Sequence, residues 1–424
     1  MIVYIVGPTI YNNIDNIAQS IDDSSSSTGS SSSSISSDSS NNSTGSSSSI
    51  PFNPVTQLYR LLGAVLTLGS GCSLGPEGPA VEIGAGFSRI LSKNTTAREA
   101  HHLFLAGCSA GVAGGFNAPI AGVLFAIECG NRYLSKNTIK LDEESPDGPR
   151  ADIAAIVLAA VISDVIVRLG LHESGALSVQ GNLYGLESPI LELSLYFGLG
   201  LIAGGISASF SKLRDIFKEL YEGKEAWSSS LPFKDIPFHL RPILGGLACG
   251  IIAVYYPQTT FVGYATLDQL LAGKINLDIP LILELLGLKL FLASFSLGSG
   301  LIGGVFAPSL FFGATAGAAY YVIVSGGITQ IHDLISHSSL AINDPNLANS
   351  INNFFQIASA PAYATVGAAA TLGAIFRAPL TSSMLMFELT QNHDIVLPVL
   401  LSTGVGGLFG SLLKREGTTK KQEC

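Results

Sequence analysis

Residues 69–86 read GSGCSLGPEGPAVEIGAG, and much of that pattern returns 229 positions later. Gly69, Ser70, Gly71, Gly75, Pro79 and Gly84 fall on Gly298, Ser299, Gly300, Gly304, Pro308 and Gly313. A second pair of segments, GGFNAPIAGVLFAIE ending at Glu128 and AIFRAPLTSSMLMFE ending at Glu388, repeats at an offset of 260, with Phe116/Phe376, Ala118/Ala378 and Pro119/Pro379 in step. The elements keep the same order, and the larger second offset fits a longer connection in the second half. Apolar segments interrupted by Gly and Pro and repeated in this way are the pattern of transport proteins whose halves cross the bilayer in opposite senses. In such folds broken helices stop near the midplane and aim their amino ends at one site. Unpaired N–H groups and about half a positive charge at each helix start make an anion the expected ligand.

Composition agrees. Charged residues make up 12% of the chain, against about 25% in soluble domains, and the mean hydropathy is +0.44. Glycine is abundant, at 47 residues, as expected where membrane helices pack closely or break. A formal charge of -9 with clustered basic residues gives no basic surface for nucleic acid. The five cysteines, 72, 108, 129, 249 and 424, are odd in number and lack metal-ligand spacing, so four of them read as small buried hydrophobes. His101, His102, His332 and His337 read as solvated residues of polar turns, and no metal or cofactor is expected. An intramembrane enzyme is the class the sequence supports least, for want of HExxH, GxSxG or a nucleophile with an obvious base, and a non-enzyme is expected.

The chain divides into a short apolar segment and Ser-rich tract (1–50), a first membrane half (51–211), a basic connection (212–241), a second membrane half (242–413) and a basic tail (414–424). Residues 1–10 are too short to span a bilayer and lack a signal-peptide start. The serine tract of 24–49 is too polar to fold. The basic clusters Lys212, Arg214, Lys218, Lys224, Lys234, Arg241 and Lys414, Arg415, Lys420, Lys421 assign both segments to the cytosolic side. Residues 92–102 and 327–355 read as polar loops, and many apolar segments are too short to cross the bilayer upright.

The chemistry concentrates in Gly75-Pro76-Glu77-Gly78-Pro79. A carboxylate inside an apolar region is costly unless helix-end N–H groups receive it. A small anion would want those same groups, so Glu77 and the anion compete for one place, and that competition is a gate. Simple capping of the helix by Glu77 is the bland alternative. In the second copy, Gly304-Val305-Phe306-Ala307-Pro308, the acid is replaced by Phe306, while the backbone amides remain available and Gly304 permits close approach. Pro308 is read as structural.

The motifs GPEGP with VEIG, GGVFAP, and the paired FNAP/FRAP segments resemble the CLC chloride channel and transporter family, most of all its plant and algal organellar branch, over residues 54–413. The resemblance implies an all-α integral membrane fold, a CLC-like inverted-repeat bundle of tilted and broken helices. It further implies a multi-pass protein of an organellar membrane, working as a homodimer in contact with lipid, with one chloride or small-anion pathway per subunit. By resemblance the gate falls on Glu77, the anion-facing amides on Gly78, Val305 and Phe306, and motif support on Gly75, Pro79, Gly304 and Pro308.

The departures from the family pattern carry as much weight. The family's GSGIP serine motif would precede Pro51, where only the Ser-rich tract stands. Pro76 replaces the basic residue that usually precedes the gating acid. The tyrosine of the family's last helix and the paired nucleotide-binding modules are missing, so the chain reads as incomplete at both ends. Cys129 fills the proton-relay slot that a glutamate holds in exchangers, and a buried thiol is a poor relay at neutral pH. Glu128 and Glu388, matched across the repeat, read as structural. Passive conduction is therefore favoured over proton-coupled exchange, with a non-conducting regulatory partner as a third reading.

Overall fold

The computed structural model describes residues 54–92, 95, 97–136, 148–171, 188–223, 228, 232–237, 239–274, 278–337 and 354–422. The expectations for residues 1–50 lie outside the described residues. Thirteen α-helices run in order among those described: α1 Pro54–Gly69, α2 Glu77–Leu91, α3 Ala97–Phe116, α4 Pro119–Lys136, α5 Gly148–Leu171, α6 Pro189–Glu222, α7 Arg241–Tyr255, α8 Tyr264–Leu271, α9 Ile279–Gly298, α10 Phe306–Ser336, α11 Ala360–Phe376, α12 Pro379–Thr390 and α13 Val396–Gln422. Five of them, α5, α6, α9, α10 and α13, are long and apolar enough to cross a membrane.

The sequence repeat is a structural repeat. Helices α1 to α5 correspond to α9 to α13, and the packing repeats with them: α2 lies on α3 as α10 lies on α11, and α3 on α5 as α11 on α13. Both FNAP-type breaks have one geometry. α3 ends at Phe116, Asn117 turns the chain with φ 53°, and Pro119 opens α4; α11 ends at Phe376, Arg377 turns it with φ 55°, and Pro379 opens α12. A left-handed residue releases the chain from one helix, and proline, which lacks the N–H that a first turn leaves unused, starts the next.

Each half is held at a glycine crossing. A Cβ on Gly107 would lie 2.2 Å from the Gly84 carbonyl oxygen, and one on Gly367 would lie 2.3 Å from that of Gly313. No side chain fits there, so α2/α3 and α10/α11 touch backbone to backbone, as small residues allow in lipid. The halves are also clamped reciprocally. The Glu128 carboxylate, on α4, accepts the N–H groups of Leu380 (3.0 Å) and Thr381 (2.7 Å) at the start of α12. The Glu388 carboxylate, on α12, accepts those of Ile120 (2.9 Å) and Ala121 (2.7 Å) at the start of α4. Each acid thus satisfies the open donors of the other half's helix start, the structural role its repeat partner predicts.

Helix α11 forms the centre, with Pro361 to Phe376 all buried against α6, α10 and α13. Helix α5 is largely exposed, with 17% of its spanning window buried.

Several sequence boundaries are corrected. Helix α10 runs to Ser336, so the first ten residues of the 327–355 segment continue an apolar helix instead of forming a loop. Helix α3 starts at Ala97, inside the expected 92–102 turn. Helix α6 continues to Glu222, which puts Lys212, Arg214 and Lys218 of the basic connection on its last turns. The tail from Lys414 to Gln422 is the end of α13. His101 and His102 sit on α3 and His332 on α10, not in turns. The 8-residue helix α8 was not anticipated at all.

Candidate functional site

The two copies of the Gly-rich motif meet. After α1 the chain turns at Gly71 (φ 83°), and after α9 it turns at Gly300 (φ 90°). Both strands then extend into the interior and pair antiparallel: Gly75 N–H donates to the Gly304 carbonyl at 2.8 Å, and Gly304 N–H donates to the Gly75 carbonyl at 2.7 Å. The pairing puts the amino ends of α2 and α10 side by side. Here glycine is required sterically. A Cβ on Gly304 would lie 2.5 Å from the Gly78 nitrogen, and one on Gly78 would lie 2.7 Å from the Gly304 Cα.

Register is preserved across the pair. Glu77 and Phe306 are the first residues of α2 and α10, with Pro79 and Pro308 each at the third position. No side chain caps α2, so its first amides are not consumed by a neighbouring hydroxyl or carboxamide. Glu77 is 1% exposed. Its Oε1 accepts the Tyr264 hydroxyl at 2.7 Å, while Oε2 has no hydrogen-bond partner among the described residues. A Cβ on Gly75 would fall 2.2 Å from that Oε2 and 3.4 Å from the Ala307 Cβ, so the carboxylate lies on the α10 side of the junction. Gly115, at the end of α3, comes next to the Glu77 Cγ.

Phe306 closes the other side. Its ring stands 5.2 Å from Phe116, 4.3 Å from Phe376 and 5.8 Å from Phe125, centroid to centroid. Phe116 and Phe376 are repeat partners at the carboxyl ends of α3 and α11, so one phenylalanine is flanked by both halves. The result is an aromatic-walled junction around an acid and two helix starts, with Gly78, Val305 and Phe306 all buried there. A negative group is the species such a place can receive, because the positive helix ends are the compensating charge.

Cys129 is buried at 4% exposure on α4, one turn beyond Phe125. Cys72, Cys108, Cys129 and Cys249 are all buried and in no disulfide, as the composition predicts. Among the described residues no group of His, Cys, Asp or Glu is arranged to hold a metal ion. Tyr264 escaped the sequence reading. It lies 187 positions from Glu77, and a lone tyrosine after Gly263 carries no periodicity or motif that would single it out.

Comparison with known proteins follows the same lines. The profile of the voltage-gated chloride channel family matches residues 26–411. Chloride channel protein CLC-e of Arabidopsis thaliana is 34% identical over 371 residues, covering 86% of this chain and 47% of that protein. CLC-f of the same plant is 35% identical over 354 residues, covering 82% and 40%. The chain thus spans less than half the length of these two relatives. The H(+)/Cl(-) exchange transporter ClcA of Cronobacter sakazakii is 28% identical over 383 residues, covering 86% and 70%. Among solved structures, a slow cyanobacterial Cl-/H+ antiporter superposes with a TM-score of 0.62 at 22% identity, covering 87% of this chain and 77% of that one. A CLC-type fluoride/proton antiporter gives 0.58 at 20%, covering 83% and 73%. With the paired motifs, the joined helix starts and the buried acid between them, the chain belongs to the CLC voltage-gated chloride channel family.

Proposed function

We propose that this chain carries chloride, or a similar small anion, across a membrane by a pathway that passes the junction of α2 and α10, with Glu77 as its gate. The observation that carries the reading is Glu77 itself: an acid 1% exposed, at the first position of one repeat helix, pressed against the start of the other. The backbone amides of Gly78, Val305 and Phe306 receive the anion when the carboxylate leaves. Gly75, Pro79, Gly304 and Pro308 hold those amides in place. The working unit is a homodimer in lipid with one pathway in each subunit.

Conduction is passive in this proposal, because Cys129 stands where a proton relay would need an acid. A specific observation favours the second reading, proton-coupled exchange: ClcA of Cronobacter sakazakii is a named exchange transporter. Sealed liposomes separate the two. An imposed chloride gradient drives protons uphill through an exchanger and leaves them at equilibrium with a channel. Purified protein that passes no anion at any pH would instead identify a non-conducting partner. The gate is tested by Glu77→Gln, which is expected to raise chloride efflux and flatten its pH dependence; wild-type efflux with the pH dependence intact would reduce Glu77 to a helix cap.

A further inference from the structure

The repeat offset of 229 that superposes the two motifs also places Arg60 of α1 on Lys289 of α9, and Glu82 of α2 on Phe311 of α10. In the first half Arg60 Nη1 donates to both Glu82 carboxylate oxygens at 3.3 Å. In the second half the acid is absent, and Lys289 Nζ lies 5.3 Å from the centroid of the Phe311 ring. Lys289 is 0% exposed. A ring face attracts a cation without accepting ordinary hydrogen bonds, and a buried donor must still find acceptors. Nζ finds them in two backbone carbonyls, donating to that of Thr259 at 2.7 Å and to that of Phe261.

Those carbonyls belong to the turn between α7 and α8. The turn includes Phe261 at φ 51° and Gly263 at φ 83°, and the next residue is Tyr264, whose hydroxyl bonds Glu77. Phe261 N–H also donates to the Gly71 carbonyl at 3.1 Å, in the turn that leads into the Glu77 motif. A phenylalanine in the left-handed region is held there against its preference, between the Gly71 bond to its N–H and the Lys289 bond to its carbonyl. Of the other ionisable groups, Asp268 faces Tyr264 from the next turn of α8, and Cys249 on α7 faces Lys289.

We propose that Lys289 is a positioning residue for the Glu77 gate: released from an acidic partner, it holds the Thr259 and Phe261 carbonyls and so delivers the Tyr264 hydroxyl to the carboxylate. This rests on the gate reading of Glu77. Chloride efflux from liposomes reconstituted with the full chain, measured across pH, tests it. Tyr264→Phe removes one charge-assisted hydrogen bond to the carboxylate and moves the pH of half-maximal efflux upward by about one unit. Lys289→Met moves it in the same direction by a similar amount, and the double variant moves it no further than Tyr264→Phe alone, because both changes act on one bond. Phe311→Glu restores the first-half pairing, draws Nζ from the carbonyls without stranding a buried charge, and gives the same shift; it decides the matter if Lys289→Met fails to fold. Additive shifts in the double variant overturn the proposal. A flat profile in Glu77→Gln, combined with wild-type profiles in Lys289→Met or Phe311→Glu, overturns this inference alone. A wild-type profile in Glu77→Gln overturns the gate reading and this inference with it.

Discussion

Gly75 and Gly304, 229 residues apart in sequence, exchange both of their backbone hydrogen bonds with each other. An antiparallel exchange of this kind is possible only between segments related by a local two-fold, so the pair marks the axis of the repeat at the place where the two helix starts meet. The two glycines are nevertheless unequal. A methyl group on Gly75 meets the end of the Glu77 side chain, which can move, whereas one on Gly304 meets the Gly78 backbone, which cannot. Gly75→Ala is expected to fold normally while displacing the carboxylate, with raised efflux and weakened pH dependence. Gly304→Ala is expected to lose about 3 kcal/mol or more of stability. Thermal unfolding in detergent and efflux on the same preparations check both; equal melting losses would show that the clearance at Gly75 is not set by Glu77.

The pH dependence of the gate has a definite sign. On the proposed gate reading, an ionised Glu77 is itself an anion and competes with chloride for the helix starts, whereas a protonated one carries no charge and does not. Efflux is therefore expected to rise as pH falls, and to become flat in Glu77→Gln, which has the shape of the protonated acid. Efflux that falls on acidification would contradict competition between the carboxylate and the transported ion.

The reciprocal clamps predict a graded loss of stability. Glu128 accepts three donors, from Leu380 N–H, Thr381 N–H and the Thr381 hydroxyl at 2.6 Å, while Glu388 accepts two. Replacing either acid by glutamine removes the charge and turns one acceptor into a donor facing a donor. Glu128→Gln is expected to cost about 3 kcal/mol and Glu388→Gln about 2, from charge-assisted bonds of about 1.5–3 kcal/mol each, partly retained. Efflux per folded protein should stay at the wild-type pH profile in both, since neither acid reaches Glu77. A changed profile in Glu128→Gln would make that residue part of the transport path.

Much of this arrangement was legible in the sequence because the repeat was. The offsets of 229 and 260 alone pair Glu77 with Phe306, Pro119 with Pro379 and Glu128 with Glu388, and each pairing is physical. What stayed hidden has two physical causes. Helix α10 runs past its hydropathic end because Ile328, Ile331 and Leu334 continue a helical pattern among polar residues, which a segment average reads as a loop. Tyr264 was hidden because its role depends on a long-range contact carried by an irregular turn, and irregular turns leave no periodic signature. Lys289 was visible as a cation inside an apolar helix, yet its meaning depended on the loss of its acid at Phe311, which only the superposed halves display.

The proposed passive reading rests on Cys129. The thiol is buried beside the aromatic wall, one turn from Phe125, whose ring stands 5.8 Å from that of Phe306, so it is well placed to be tested and poorly suited to carry protons at neutral pH. Cys129→Ala removes a small apolar group from a packed site and is expected to cost about 1 kcal/mol of stability while leaving chloride efflux and its pH profile unchanged. No uphill proton movement is expected in either protein under a chloride gradient. Proton pumping by the wild type that disappears in Cys129→Ala would assign the relay to the thiol and make this chain an exchanger. Pumping that persists in the variant would place the proton route elsewhere and overturn the passive reading by a different path.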